Sequence, residues 1–306
     1  MGKNRINIGH TLTEQTKDKI FGYLLLLPTF AVFAIVVLYP IVYGIVMSFF
    51  NYTFFTINKT PTWNNFGNYI NIFNDGFFQY LKNTLVFTIG TVGIELIVGM
   101  GVALLLNLSI RGRNLLRSLF LMPWTIPSIV VALLWSWLFQ AQFGIINYVL
   151  KFFGLIENAN TEWIQSPSTA MLTVIIAVVW RQAPYMMVMI LAGLQSVRKD
   201  LIDAAAIDGA KPVKIFFKIK IPAIRAVLGT TIITCVMSSF QQFTIIYNMT
   251  AGGPLGKTTT LSIAAYKKAF TNFDLGSGAA IGVIWLLILG SAITIYNIKT
   301  KRFDVE

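Results

Sequence analysis

The sequence predicts an all-α integral membrane protein with six transmembrane helices. Three observations predict it. Hydrophobic residues make up 56% of the 306 and charged residues only 12%, against about 25% charged in a soluble domain. Six apolar stretches are each long enough for a helix that crosses about 30 Å of hydrocarbon. Lys and Arg collect in alternate connections between those stretches.

The elements follow in order. Residues 1–20 are polar and read as a cytoplasmic tail, with 21–306 as one transmembrane domain. The first stretch, 21–50, is longer than a leader peptide and has no small-residue cleavage site after it, so it reads as a span. Pro28 and Pro40 are expected to kink it, and Pro123 and Pro127 to kink the start of the third stretch, 119–139. The second stretch, 85–108, carries Glu95. The fourth, 170–194, carries Arg181 and Pro184. The fifth, 227–247, and the sixth, 279–298, complete the set. Backbone polar groups in lipid must bond within their own segment, which makes all six helical.

Charge sets the orientation. Four Lys and Arg lie in the tail, three in the second-to-third connection, seven in the fourth-to-fifth and three at the C-terminus. That is 17 on one face against six on the other, with Arg181 left inside a span. Cationic loops stay cytoplasmic, so both termini are expected there, in a multi-pass protein of the plasma membrane. The formal charge of +12 is therefore a topology signal, and no nucleic-acid partner is expected. Cys235 is the only cysteine and His10 the only histidine. No disulfide, metal site or cofactor is expected from them.

The connection 195–225 stands out. It contains DAAAIDGAKPVKIFFKIKIP over residues 203–222. Three consecutive alanines favour a short helix, Asp208-Gly209 suits its end, and Lys211-Pro212 suits the start of a second. On that second helix Lys211, Lys214 and Lys218 share a 60° arc, while Val213, Phe216 and Phe217 face elsewhere. Pro222 is expected to end it. Two readings fit such a rigid cationic elbow: a connector that rests on its own bundle and on membrane lipid, or a docking element for a cytoplasmic partner.

The stretch resembles the EAA loop of ATP-binding-cassette importer permeases: an acidic residue, two alanines, three residues, Gly, nine residues, Ile, one residue, Leu, Pro. Here those positions are Asp203, Ala204, Ala205, Gly209, Ile219, Ile221 and Pro222, with Asp for Glu and Ile for Leu. WRQAPYMMVMILAGLQ (180–195), NMTAGGPLGKTTT (248–260) and RNLLRSLFLMPWTIPSIVVALLW (113–135) also resemble carbohydrate-type permeases, so the similarity spans about residues 80–300. A proline common in that family near Val197-Arg198 is missing.

The resemblance implies a type I ABC importer permease core of the maltose type. It implies a second permease subunit, two ATPase subunits, an extracytoplasmic solute-binding protein and a sugar as solute. Asp203, Ala204, Ala205, Asp208, Gly209 and Ala210 would contact the ATPase, and ATP-driven closure would switch the bundle between inward- and outward-facing states. The chain itself would be no enzyme.

Residues 251–258, AGGPLGKT, approach a phosphate-binding loop. Ala251 stands where the strict pattern needs Gly, and no buried strand precedes it. By charge count the segment faces outside, and the resemblance implies an external loop near the solute-delivering protein.

Charged groups inside a membrane are costly and mark function. Arg181 lies well inside the fourth span, where it lines a cavity or snorkels. Glu95 has several readings open: pairing with Arg181, pairing with a partner subunit, protonation or solute contact. Cys235, Ser239 and Gln242 lie at i, i+4 and i+7. That polar stripe serves helix packing or recognises sugar hydroxyls. By the resemblance, solute contacts are Arg181, Gln182, Tyr185, Cys235, Ser239 and Gln242, with Tyr185 and Phe243 as apolar ring faces. The alternatives within reach are the same importer class acting on glycerol-3-phosphate or another polar organic solute, and a stand-alone secondary carrier.

Overall fold

The computed structural model describes residues 14–56, 60–158 and 160–303. Lys3, Arg5, His10 and Lys59 lie outside the described residues.

Helix begins at Glu14, inside the segment expected as a tail. α1 (Glu14–Phe33) passes through a π turn, Ala34–Leu38, into α2 (Tyr39–Met47). Pro28 sits within α1 without interrupting it. The π turn answers to Pro40. Proline has no N–H for the carbonyl of Val36, so the ladder shifts, and the Tyr39 N–H reaches back to the Ala34 oxygen.

A small hairpin follows, β1 (Phe50–Asn51) and β2 (Thr62–Trp63), paired antiparallel with Phe50 opposite Trp63. Two residues per strand leave no alternation to read, so the all-α expectation misses it. Asn68 holds it in place: its amide donates to the Ser48 and Phe50 carbonyls at 2.8 and 3.0 Å.

α3 (Gly67–Asn74) leads into α4 (Phe77–Leu106). α5 (Arg113–Thr125) and α6 (Ser128–Leu138) form one broken span, α7 (Ile145–Phe152) lies beyond it, and α8 (Ala170–Gln195) crosses again. α9 (Lys199–Ile207) is the short helix of the elbow. α10 (Pro212–Ile215), a π turn at Phe216–Lys220 and α11 (Ile221–Ala223) form its second arm, which bends into α12 (Arg225–Phe240). α13 (Thr244–Thr250), α14 (Leu261–Tyr266) and α15 (Leu275–Phe303) finish the chain.

Four helices are long and apolar enough to cross a membrane, and six crossings result when each bent pair counts as one. The third bends by 97° between α5 and α6. Its cause is Pro127: the preceding Ile126 is driven to extended backbone, ψ 132°. The other expected kink, at Pro123, falls inside α5. The fifth bends by 73° at Ile224. Pro222, expected to end the second arm, lies within it instead. A π turn absorbs its missing donor, with the Ile221 N–H bonding the Phe216 oxygen.

α8 is the axis of the bundle. In its most apolar window 61% of residues are buried, against none in the first span. Three buried clusters surround it and α4. One joins α4, α6, α8 and α13 around Phe87, Val178 and Ile246. A second joins α4, α8 and α12 around Met186, Met187 and Ile190. A third ties α3, α4, α14 and α15 around Ile72, Leu261 and Ile281. α4 and α8 approach closely because Gly99 has no side chain: a Cβ there would lie 2.7 Å from the Met186 Cγ.

Candidate functional site

Two features answer to the sequence reading, a cavity inside the bundle and the elbow at one end of it.

The cavity holds about 380 Å³. α8 supplies Arg181, Gln182 and Tyr185 one helical turn apart. α12 supplies Thr234, Cys235, Ser238 and Ser239, α4 supplies Glu95, and α5 supplies Trp124. The structure thus brings together five of the six residues expected at the solute, from two sequence segments, 181–185 and 235–239. Gln242 is not among them. α12 stops at Phe240, so the i+7 position has left the helical register, and the Gln242 carbonyl instead accepts a bond from Ser262 Oγ at 2.9 Å. Phe243 also lies elsewhere, stacked on Tyr247 with ring centroids 5.0 Å apart.

Arg181 is fixed by the broken third span. Its Nε donates to the Ile126 carbonyl at 3.1 Å. That carbonyl is free because the chain leaves the helix there. The break is therefore also a mount: it turns a backbone oxygen inward and orients the guanidinium beside the cavity. Gln182 Nε2 donates to Ser238 Oγ at 3.2 Å and links α8 to α12. Tyr185 stacks on Trp124 at 5.9 Å, giving the cavity an aromatic wall. Glu95 is 1% exposed, and neither of its carboxyl oxygens has a hydrogen-bond partner. Of the readings open for Glu95, pairing with Arg181 is absent among the described residues. Sequence reasoning missed Trp124, Thr234 and Ser238. The first comes from a different span, and the other two sit off the stripe drawn through Cys235.

At the other end of α8, α9 ends in a Schellman motif. The Gly209 N–H bonds the Ala206 carbonyl at 3.0 Å and the Ala210 N–H bonds the Ala205 carbonyl at 2.9 Å. Gly209 has φ +76°, which a side chain would strain. At the start of α9 the Arg198 guanidinium pairs with Asp200, Nε lying 3.1 Å from Oδ1, and holds that carboxyl below its ordinary value. Ile207 is 86% exposed, and Leu201 and Val213 are exposed beside it. Ile215 and Ile224 bury the base of the elbow against the bundle.

The loop 251–260 lies at the opposite end. Its hydroxyls are spent on its own carbonyls: Thr258 Oγ1 donates to Gly253 at 2.7 Å and Thr259 Oγ1 to Gly252 at 2.8 Å. Asn83 donates to the Gly256 and Thr259 carbonyls at 2.8 and 3.0 Å. Backbone donors are drawn in as well: the Gly253 N–H bonds the Thr250 carbonyl, the Lys257 N–H that of Pro254 and the Thr259 N–H that of Gly256.

Residues 95–305 match the family described as the binding-protein-dependent transport system inner membrane component. The chain belongs to that family. This permease is similar to the trehalose/maltose transport system permease protein MalF of Thermococcus litoralis, 32% identical over 96% of this chain and 98% of that one. It is similar also to the sulfoquinovosyl glycerol transport system permease protein SmoG of Agrobacterium fabrum, 32% identical over 93% and 92%. The sn-glycerol-3-phosphate transport system permease protein UgpA of Yersinia pestis is 35% identical over 92% and 94%. Among solved structures, a bacterial ABC transporter that imports the acidic polysaccharide alginate superimposes with a TM-score of 0.80, at 21% identity, over 94% of this chain and 97% of that one. The fold is that of a type I ABC importer permease. The chain is a multi-pass membrane component of a transport system and not an enzyme.

Proposed function

We propose that this permease is one of two membrane subunits of an importer that carries a carbohydrate inward, delivered by an extracytoplasmic binding protein and driven by two separate ATPase subunits. The observation that carries this reading is the elbow. A stiff elbow, its first helix Schellman-capped, presents Leu201 and Ile207 on that helix and Val213 on the next to solvent, while Ile215 and Ile224 at its base are buried. Exposed apolar side chains on a rigid lever suit a protein partner and transmit displacement, which a floppy loop would not. Asp203, Ala204, Ala205, Asp208, Gly209 and Ala210 form the ATPase contact, and this end with both termini faces the cytoplasm. The first span, with no residue of its most apolar window buried, leaves apolar surface for lipid or the second permease to cover. An aromatic wall with polar groups opposite, as Tyr185 and Trp124 provide, suits sugar rings. Arg181, Gln182, Tyr185, Cys235 and Ser239 hold the solute, with Gln242 beyond their cavity.

The second reading, sn-glycerol 3-phosphate, draws on Arg181 beside the cavity and on the 35% identity to UgpA. Uptake by the reconstituted importer, with ATP inside and binding protein outside, decides. Accumulation of trehalose or maltose is the expected result. Accumulation of sn-glycerol 3-phosphate alone would replace the sugar reading with the second one.

A further inference from the structure

α4 carries a polar face that packing does not explain. Thr84, Thr88, Thr91 and Glu95 fall within about 60° of one another around the helix and extend about 17 Å along it. All four are buried, between 0 and 4% exposed. Thr84 at the outer end is used: its Oγ1 accepts the Leu261 N–H at 2.9 Å. The other three are not. Thr88 Oγ1, Thr91 Oγ1 and both Glu95 oxygens lack any partner. Buried polar groups are otherwise almost always bonded, because leaving one without a partner is costly. A threonine in a helix ordinarily bonds the carbonyl one turn back, as Thr84 does with Tyr80 at 2.7 Å. Here the orphan groups lead from the anchored outer loop to the cavity, and Glu95 lines the cavity at their inner end.

We propose that Glu95 is a specificity-determining residue, its carboxyl oxygens accepting hydrogen bonds from the hydroxyls of a neutral polyhydroxylated solute. The proposal rests on the reading of the cavity as the solute site. Among the described residues no strong donor satisfies the carboxyl: Arg181 is bonded to Ile126, Gln182 to Ser238, and the Cys235 thiol beside it is a weak donor. A sugar hydroxyl supplies the strong donor that is missing. When ionised, a carboxyl in that position also disfavours anionic solutes, whose oxygens it would face, and so counters the attraction of Arg181 for a phosphate.

Cys235, the only cysteine of the chain, lines the same cavity and reports on its occupancy. The assembled importer is placed in nanodiscs, and modification of Cys235 by methyl methanethiosulfonate is followed by mass spectrometry of its peptide. Maltose, trehalose and sn-glycerol 3-phosphate are titrated as protectants of wild type, Glu95→Gln and Glu95→Ala, each variant being referred to its own rate without solute. The expected result is protection of wild type by a neutral sugar. Its half-protecting concentration should rise about tenfold or more in both variants, the equivalent of one hydrogen bond, while that of sn-glycerol 3-phosphate stays level or falls. Equal loss for both solute types would mean a structural role and overturn the proposal. So would an unchanged sugar titration, or a wild type protected by the phosphate alone. A wild-type thiol that no transported solute protects would overturn the cavity reading itself, an outcome distinct from the other three.

Discussion

Single residues set two tolerances of this molecule. Gly99 lets α4 and α8 touch, since a Cβ would lie 2.7 Å from Met186 Cγ and 3.1 Å from the Met187 N. The backbone atom cannot swing aside. Gly99→Val should therefore lower stability by about 1–3 kcal/mol, the usual cost of overpacking. Thermal unfolding of the detergent-solubilised protein checks this, and an unchanged midpoint would contradict it. Gly90 is a useful comparison. Its nearest neighbour is the far end of the Ile175 side chain at 3.0 Å, which can rotate, so Gly90→Ala should cost much less. At the cavity, Arg181 was legible in the sequence as a charge inside a span, but its partner was not. The Ile126 carbonyl is backbone, 55 residues away, and becomes available only because the third span breaks. Glu95 and Arg181 look like a pair in one dimension. In three, Arg181 bonds a carbonyl, and Glu95 has only the weak Cys235 thiol beside it.

At the scale of elements, proline explains two kinds of departure from straight helix. Pro40 and Pro222 each follow a π turn, where the ladder has slipped by one residue to cover the missing donor. Pro127 instead breaks the span by acting on the residue before it. Pro127→Ala should relax that break and carry the Ile126 carbonyl away from Arg181. Spin labels at Ser118 and Ser136, read by double electron–electron resonance, should then report a longer separation, and uptake should fall. An unchanged distance would place the cause of the bend elsewhere. The six spans were readable because hydrocarbon imposes length and apolarity on a segment by itself. Their ends were less so. α4 begins at Phe77, well before the apolar run, because Asn83 and Thr84 bond the segment 256–261 and so offset the cost of polar residues in the helix. The elbow was readable in detail, since Gly209 and Pro212 act locally. Gln242 was misplaced because a helical wheel assumes a helix that continues, and α12 does not.

For the whole molecule, the two ends of the bundle differ in kind. One carries a knotted loop with Leu255 88% exposed at its tip, and the other an elbow with Ile207 86% exposed. Their sidedness is open to direct chemistry. In a Cys235→Ser background, Leu255→Cys should react with a membrane-impermeant maleimide added outside intact cells. Ile207→Cys should react only after permeabilisation. The reverse pattern would invert the orientation. The central claim is that the elbow passes mechanical work from a partner ATPase to the solute cavity. Gly209→Pro tests it most directly. Proline cannot adopt φ +76° and has no N–H for the Ala206 carbonyl, so the cap is lost at a cost of about 3 kcal/mol. In the reconstituted importer, solute uptake per ATP hydrolysed should fall at least about tenfold, with membrane insertion unchanged. Undiminished uptake at an unchanged ATP stoichiometry would contradict the account.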